Sequence, residues 1–158
     1  MDTLTSSPET RIAELQIQLT TPPSPLGAYV EAVQTGNLLY LSGMLPNVGR
    51  ELKYLGRIGA ELDITQACEA TRLAALNVLS AAKKHLGSLD RVTRVVKLAV
   101  YLATTSDFTA HPNVADAASE LLRDVFGPDN LPVRMVYGVA TLPLGMPVEV
   151  EVILEVRQ

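Results

Sequence analysis

Few residues in this sequence combine type and spacing in a way that could do chemistry, and the best of them lie in its last quarter. Arg134 follows Leu131-Pro132-Val133 and opens an apolar run, and further on Glu149 and Glu151 alternate with Val148, Val150 and Val152. A strand turns successive side chains to opposite faces, so the two glutamates share one face. Charged groups seldom sit in apolar strands without pairing or binding something. The pattern predicts a small pocket with one fixed cation and a carboxylate near it. The planar fork of an arginine can hold a substrate carboxylate through paired hydrogen bonds. A neighbouring carboxylate can position water or shuttle a proton. A structural ion pair across adjacent strands fits the same spacing, and the residues alone leave both readings open. Tyr29, just after Leu26-Gly27-Ala28, is a further candidate, with a half-buried strand aromatic as its plain alternative.

Other chemistries find little support. The histidines are His85 and His111 and the one cysteine is Cys68, with none at metal-ligand spacing. His85 falls in the last turn of a predicted helix, where a cation is favoured by the dipole. His111 precedes Pro112 and reads as a surface loop residue. No phosphate-cradling glycine motif is present. Leu41-Ser42-Gly43 lacks the first glycine of a nucleophile elbow. Cys68 sits on the apolar stripe of a predicted helix, where cysteines are usually inert.

These residues must be positioned by one modest domain. The chain has 158 residues, 47% hydrophobic and 19% charged, which fits a single globular core. Aromatics make up 4%, Trp is absent and the net charge is −4, so nucleic acid is disfavoured as the main partner. One cysteine allows no intramolecular disulfide and suits a reducing compartment. No signal peptide or membrane-spanning stretch is visible, which predicts a cytoplasmic protein with no membrane partner.

The elements follow from periodicity and punctuation. Residues 8–19 predict a short helix with Ile12, Leu15 and Leu19 on one side, stopped by Pro22, Pro23 and Pro25. Residues 1–25 thus form an N-terminal extension, loose over 1–7, before a single domain at 26–158. Strands at Ala28–Val33 and Leu38–Ser42 flank the Thr35-Gly36-Asn37 turn. A short strand near Leu52–Leu55 is expected. A long helix over Ile64–Leu86 has a capping box at Asp63 and Gln66 and a C-terminal Gly87. Its expected apolar stripe is Ile64, Cys68, Leu73, Leu76, Leu79 and Ala82. Val96–Leu102 reads as a central strand buried on both faces. A second helix spans about Asn113–Val125, and strands near 133–140 and 147–156 close the chain. The order β-β-α-β-α-β-β predicts an α+β fold: a mixed sheet with both helices on one face. Strands flanking a helix should be parallel and hairpins antiparallel. The uncovered face predicts self-association.

With these segments in place, the chain resembles the RidA/YjgF family of reactive enamine/imine deaminases, also labelled endoribonuclease L-PSP. The likeness covers roughly Leu26 to Val156. It rests on LGAYVEAVQTGNLLYLSGMLP, on LDRVTRVVKLAVYLATTSDF, on VFG, and on PVRMVYGVATLPLGMPVEVEVILEV. The longer N-terminus and the SELLRDVFG helix end resemble a longer-chain subgroup. The resemblance implies a chorismate-mutase-like domain forming homotrimers, with a cleft at each subunit interface. It implies hydrolysis of 2-imino or 2-enamino acids, such as 2-aminoacrylate, to 2-keto acids and ammonia, with no metal or organic cofactor. The partners implied are a small carboxylate substrate and the chain itself. Carried over by position, Arg134 matches the carboxylate-binding arginine and Glu149 the acid that orients the attacking water. Tyr29 matches the tyrosine at the cleft entrance, Gly43 the glycine whose backbone lines the pocket, and Phe108 the Asp-Phe position. Glu151 matches the second acid of the last strand, a structural residue. Three departures stand out. Ala28 replaces the usual proline, and Met135 follows the arginine where a small serine is typical, predicting a narrowed or reshaped pocket. Pro112 occupies the family asparagine's spacing, leaving Asn113 as the candidate. Two other functions stay open: a trimer that binds keto acids without turnover, and, disfavoured by charge and composition, an endoribonuclease or translation inhibitor.

Overall fold

The computed structural model describes residues 6–158. Of the expected loose stretch at 1–7, residues 1–5 lie outside that range. The order is α1 (Pro8–Glu14), β1 (Ala32–Thr35), β2 (Leu38–Leu41), β3 (Asn47–Val48), β4 (Glu51–Leu52), α2 (Ile64–Leu86), β5 (Val92–Ala103), α3 (His111–Phe126), β6 (Val133–Val139) and β7 (Val148–Val156). Five strands form one sheet in the order β1-β2-β7-β5-β6, and β3 pairs with β4 apart from it. Among the described residues no helix is long and apolar enough to cross a membrane.

The strand directions follow the connections. β1 and β2 make an antiparallel hairpin in which Gly36, at φ 58°, takes the left-handed turn. β5 and β6, joined by α3, are parallel neighbours. The other expected parallel pair does not touch: β7 inserts between β2 and β5, antiparallel to both. The last two strands likewise lie on either side of β5 rather than side by side.

α2 begins as its sequence predicts. Asp63 Oδ1 accepts from the Gln66 N–H at 2.8 Å, and Gln66 Oε1 accepts from the Asp63 N–H at 3.0 Å. Gly87 ends it at φ 82°. The buried stripe differs from the expected one. Ile64 is exposed, while Cys68, Leu73 and Leu76 are only half-buried. Leu79 and Ala82 are buried as expected, and Ala67, Ala70, Ala74 and Val78 are buried with them. Small side chains let the helix axis approach its neighbours, so alanine spacing marks most of the inner face. Asn77, buried on the same helix, donates from Nδ2 to the Leu45 and Asn47 carbonyls at 2.8 and 2.9 Å. That satisfies loop groups that would otherwise be orphaned.

α3 buries Val114, Ala118, Leu121, Leu122 and Val125 at helical spacing. α1 is shorter than the predicted 8–19. It ends at Glu14, and Gln16 takes φ 53°. Ile12 still reaches the core, and Ile17 and Leu19 pack against it from an extended stretch. Glu9 fastens the helix, accepting from the Leu89 N–H at 2.9 Å and pairing with Lys83 at 2.8 Å.

The sheet therefore has a covered and an open face. Leu39, Leu98, Val100, Val150, Val152 and Leu154 lie under the helices and are essentially inaccessible. Val33, Tyr40, Tyr137 and Met135 stand exposed on the other face, with Tyr101 and Ile153 half-buried among them. β5, expected to be buried on both faces, is flanked by strands on both edges but covered on one face only. Its Val96, Lys97 and Tyr101 remain half-accessible.

Candidate functional site

The sequence-predicted residues fall into two groups. The first gathers where β6 meets α3. Arg134 is the register partner of Leu98, so its side chain rises from the helix-covered face of the edge strand. Its Nη1 donates to Asp116 Oδ1 at 2.6 Å and to Ser119 Oγ at 3.1 Å. Those acceptors are three residues apart on α3 and so share a helix face. Both Nη1 hydrogens are used. The edge formed by Nε and Nη2 has no protein partner among the described residues. A guanidinium held in this way presents a parallel pair of N–H groups matched to a planar carboxylate. Asn113 lies one turn before Asp116 on α3, exposed, and its backbone carbonyl accepts the Cys68 thiol at 3.8 Å. Burial, and then Glu120 and Asp116, push the Cys68 thiol up from its ordinary pKa, which fits an unreactive residue. Phe108 packs against the core and meets His111 edge-on, with ring centroids 5.1 Å apart.

The second group lies on the open face. Glu149 is the register partner of Tyr101 on β5. Gly43 follows β2, and the neighbouring Met44 bridges to Val150, which brings the Gly43 backbone against the Glu149 carboxyl group. A Cβ at position 43 would collide with Glu149 Oε1. Tyr29 sits in a bend ahead of β1 rather than at the start of a strand. Its hydroxyl accepts from the Leu26 N–H at 2.9 Å, and it lines a shallow cleft with Gly43 and Met44. Burial first, and then the charge of Glu151, raise the Glu149 carboxyl above the usual carboxylate range. No hydrogen bond or ion pair holds Glu149 among the described residues. Glu151 is braced instead: it accepts from the Tyr101 hydroxyl at 3.2 Å and lies 3.6 Å from Lys97 Nζ. Burial, followed by Glu151, raises the Tyr101 phenol.

These two groups do not form the single-chain pocket predicted from spacing. β5 separates β6 from β7, and Arg134 and Glu149 sit at register positions three residues apart, Leu98 and Tyr101. An odd offset puts them on opposite faces, with Cα atoms on the order of 14 Å apart from strand spacing and rise. The alternative ion pair fails for the same reason; the partner of Arg134 is Asp116. Met135 also points away from Arg134, onto the open face beside Ala99. It therefore does not narrow the surroundings of Arg134 within the chain. Asp116 and Ser119 went unnoticed in the sequence, although their three-residue spacing on a predicted helix was visible. His111 was read as a surface loop residue. It is instead the first residue of α3 and half-buried. Among the described residues no cluster of His, Cys, Asp or Glu is placed to hold a metal ion.

Known proteins resemble this chain in sequence and fold. The family model described as endoribonuclease L-PSP matches residues 19–156. The chain is similar to Protein TCP17 of Trypanosoma cruzi, 39% identical and covering 92% of each chain. It is 33% identical to a 2-iminobutanoate/2-iminopropanoate deaminase of Dermatophagoides farinae, over 85% of this chain and 91% of that one. Among solved structures, a putative endoribonuclease from Shewanella oneidensis superposes with a TM-score of 0.90 at 29% identity, covering 95% of this chain and 99% of that one. RidA from a Psychrobacter species gives 0.62 at 29% identity, covering 89% and 98%. A model match spanning nearly the whole domain, supported by these relatives, makes this chain a member of the RidA/YjgF family.

Proposed function

We propose that this chain hydrolyses reactive 2-imino and 2-enamino acids to 2-keto acids and ammonia. The observation that carries the reading is the Arg134 guanidinium: anchored through Nη1 by Asp116 and Ser119, it has its Nε–Nη2 edge free for a carboxylate. The name of the Dermatophagoides farinae relative supports the same chemistry. The reaction takes place in a homotrimer packed through the open sheet face. There the Arg134 region of one copy meets the Gly43–Glu149 region of a neighbour, with Tyr29 at the entrance. This assembly brings the two groups together, since within one chain Arg134 and Glu149 lie too far apart to act on one small substrate.

Arg134 fixes the substrate carboxylate, which sets the imine carbon in place. Water adds its oxygen to that carbon, and the proton it loses passes through Glu149 to the imine nitrogen. The product is a carbinolamine. Its C–N bond then breaks, the hydroxyl proton moves to nitrogen, and ammonia leaves the keto acid. The imine carbon is already electrophilic, so positioning and proton transfer suffice, and no metal or organic cofactor is required. A raised pKa makes Glu149 a better proton acceptor than an ordinary carboxylate.

The test is release of ammonia and keto acid from a freshly generated imino acid. Arg134→Ala is expected to lower kcat/KM by about 10²–10³-fold with assembly size unchanged. Wild-type turnover in that variant overturns the proposal. Keto-acid binding with no ammonia release by the native protein would make it a binding trimer instead.

A further inference from the structure

A second polar cleft lies at the C-terminal ends of β5 and β6 where α3 begins, sharing only Phe108 with the first group. It has a volume of about 600 Å³ and is lined by Arg57, Thr104, Thr105, Ser106, Phe108 and His111, with Gly138 to Ala140 as its floor. In a chain carrying 17 acidic residues, none lines this cleft. The guanidinium of Arg57, the hydroxyls of Thr104, Thr105 and Ser106, and the His111 imidazole make no hydrogen bonds with one another or with other described residues. Glu61 lies behind the loop, where its Oε2 accepts from the Arg57 backbone N–H at 2.8 Å and its charge interacts with that of Arg57, but it does not line the cleft. The cleft lining therefore offers hydrogen-bond donors and no carboxylate.

The floor is shaped for this. A Cβ on Gly138 would stand 2.5 Å from His111 Nε2 and 3.3 Å from Thr104 Oγ1. Glycine inside a strand weakens it and often marks close approach of another group. Here the bare Cα admits the imidazole, which Phe108 holds from the side. Nε2 and Oγ1 thus converge over one point of the strand. The first turn of α3, capped by Ala110 with no side-chain hydrogen bond, adds a weaker positive field from the same direction.

We infer that this cleft is a binding site for a ligand bearing a small oxyanion, a phosphate or a carboxylate. Arg57 grips the anion while His111, Thr104 and Ser106 donate to its oxygens. Charged hydrogen bonds of this kind are among the stronger ones available to a protein. The site stands apart from the proposed reaction: its side chains come from the Arg57 loop and the segment 104–111, and it uses neither Arg134 nor Glu149.

The chain has two histidines, so the imidazole resonances provide a probe and a control in one molecule. Inorganic phosphate and acetate are titrated separately at constant ionic strength while both rings are followed by NMR. The expected result is a saturable shift at His111 with His85, exposed on α2, unmoved. Whichever anion saturates at the lower concentration identifies phosphate or carboxylate as the natural group. Arg57→Ala should raise the dissociation constant about tenfold, the loss of one charged hydrogen bond. Gly138→Ala should abolish the shift, and Thr104→Val gives a milder loss should Gly138→Ala fold poorly. Arg134→Ala should leave the titration unchanged, which separates this site from the proposed deamination. Shifts that never saturate, that move both histidines alike, or that persist unaltered in Arg57→Ala and Thr104→Val overturn the inference.

Discussion

The two faces of the main sheet are built from the same strands and have different jobs. On the covered face, β7 presents valine and leucine to α2, and the residues are closed from water. On the open face, the same strand presents Glu149, Glu151, Ile153 and Glu155 among tyrosines. The covered face is complete within one chain. The open face mixes exposed aromatic and aliphatic groups with the Lys97–Glu151 ion pair. The proposed chemistry divides along the same line, with Arg134 rising on the covered side and Glu149 on the open side. A face completed by the chain supports the fold, and the proposed reaction places its second copy on the face left incomplete.

Breaking each face in turn should separate these roles. Leu98→Ala, under the helices, should destabilise the fold by about 3 kcal/mol in chemical denaturation, as large-to-small core changes do. Tyr137→Asp, on the open face, should leave the secondary structure intact by circular dichroism. It should dissociate the assembly in sedimentation and lower deamination with it; an unchanged sedimentation coefficient would remove the open face from the contact. Asp116→Ala should free Nη1 of Arg134 and loosen its orientation. KM should then rise about tenfold, from the loss of a charged hydrogen bond, with kcat changed less. Asp116→Asn should recover part of the effect.

The smallest effect sharpens the comparison through pH. The folded-state pKa of Glu149 lies above its unfolded value, so the folded protein holds that proton more tightly. Ionised and partly buried, the group detracts from stability once pH rises through its folded pKa. Glu149→Gln should therefore raise the melting temperature slightly at neutral pH. The gain should vanish as pH falls through that pKa toward the ordinary carboxylate range. Activity should follow the opposite logic: wild-type kcat should fall as Glu149 protonates, at a pH above where an unperturbed glutamate would titrate.

Much of the architecture was legible because local rules were obeyed. The capping box at Asp63 and Gln66, Gly87 after α2, the Gly36 turn and the alternation of β7 each have a local cause and lie where the sequence puts them. The insertion of β7 between β2 and β5 had no local signal, since pairing of strands distant in sequence is decided by how the whole sheet closes. The inner face of α2 is legible only in part: Leu79 and Ala82 are buried as the stripe predicts, while Ala67, Ala70 and Ala74 give too weak a hydrophobic signal to reveal the rest. The candidate residues Arg134, Glu149, Gly43 and Phe108 could be named by motif. Their division between two faces could not, because the intervening strand β5 precedes both β6 and β7 in sequence. Asp116 gives no distinctive signal in the sequence, and His111 reads there as a surface loop residue, because an exposed helix acid and a histidine before proline look ordinary until the strand beneath them is known.

Gly43 carries one more consequence. It has no functional group, yet its missing side chain is what lets the Glu149 carboxyl lie where it does. Any side chain at position 43 must evict that carboxyl. In a genetic screen, a missense change at this bland residue would then mimic loss of the acid itself, while the folded protein continued to accumulate. A screen scored only by protein abundance would pass over the position.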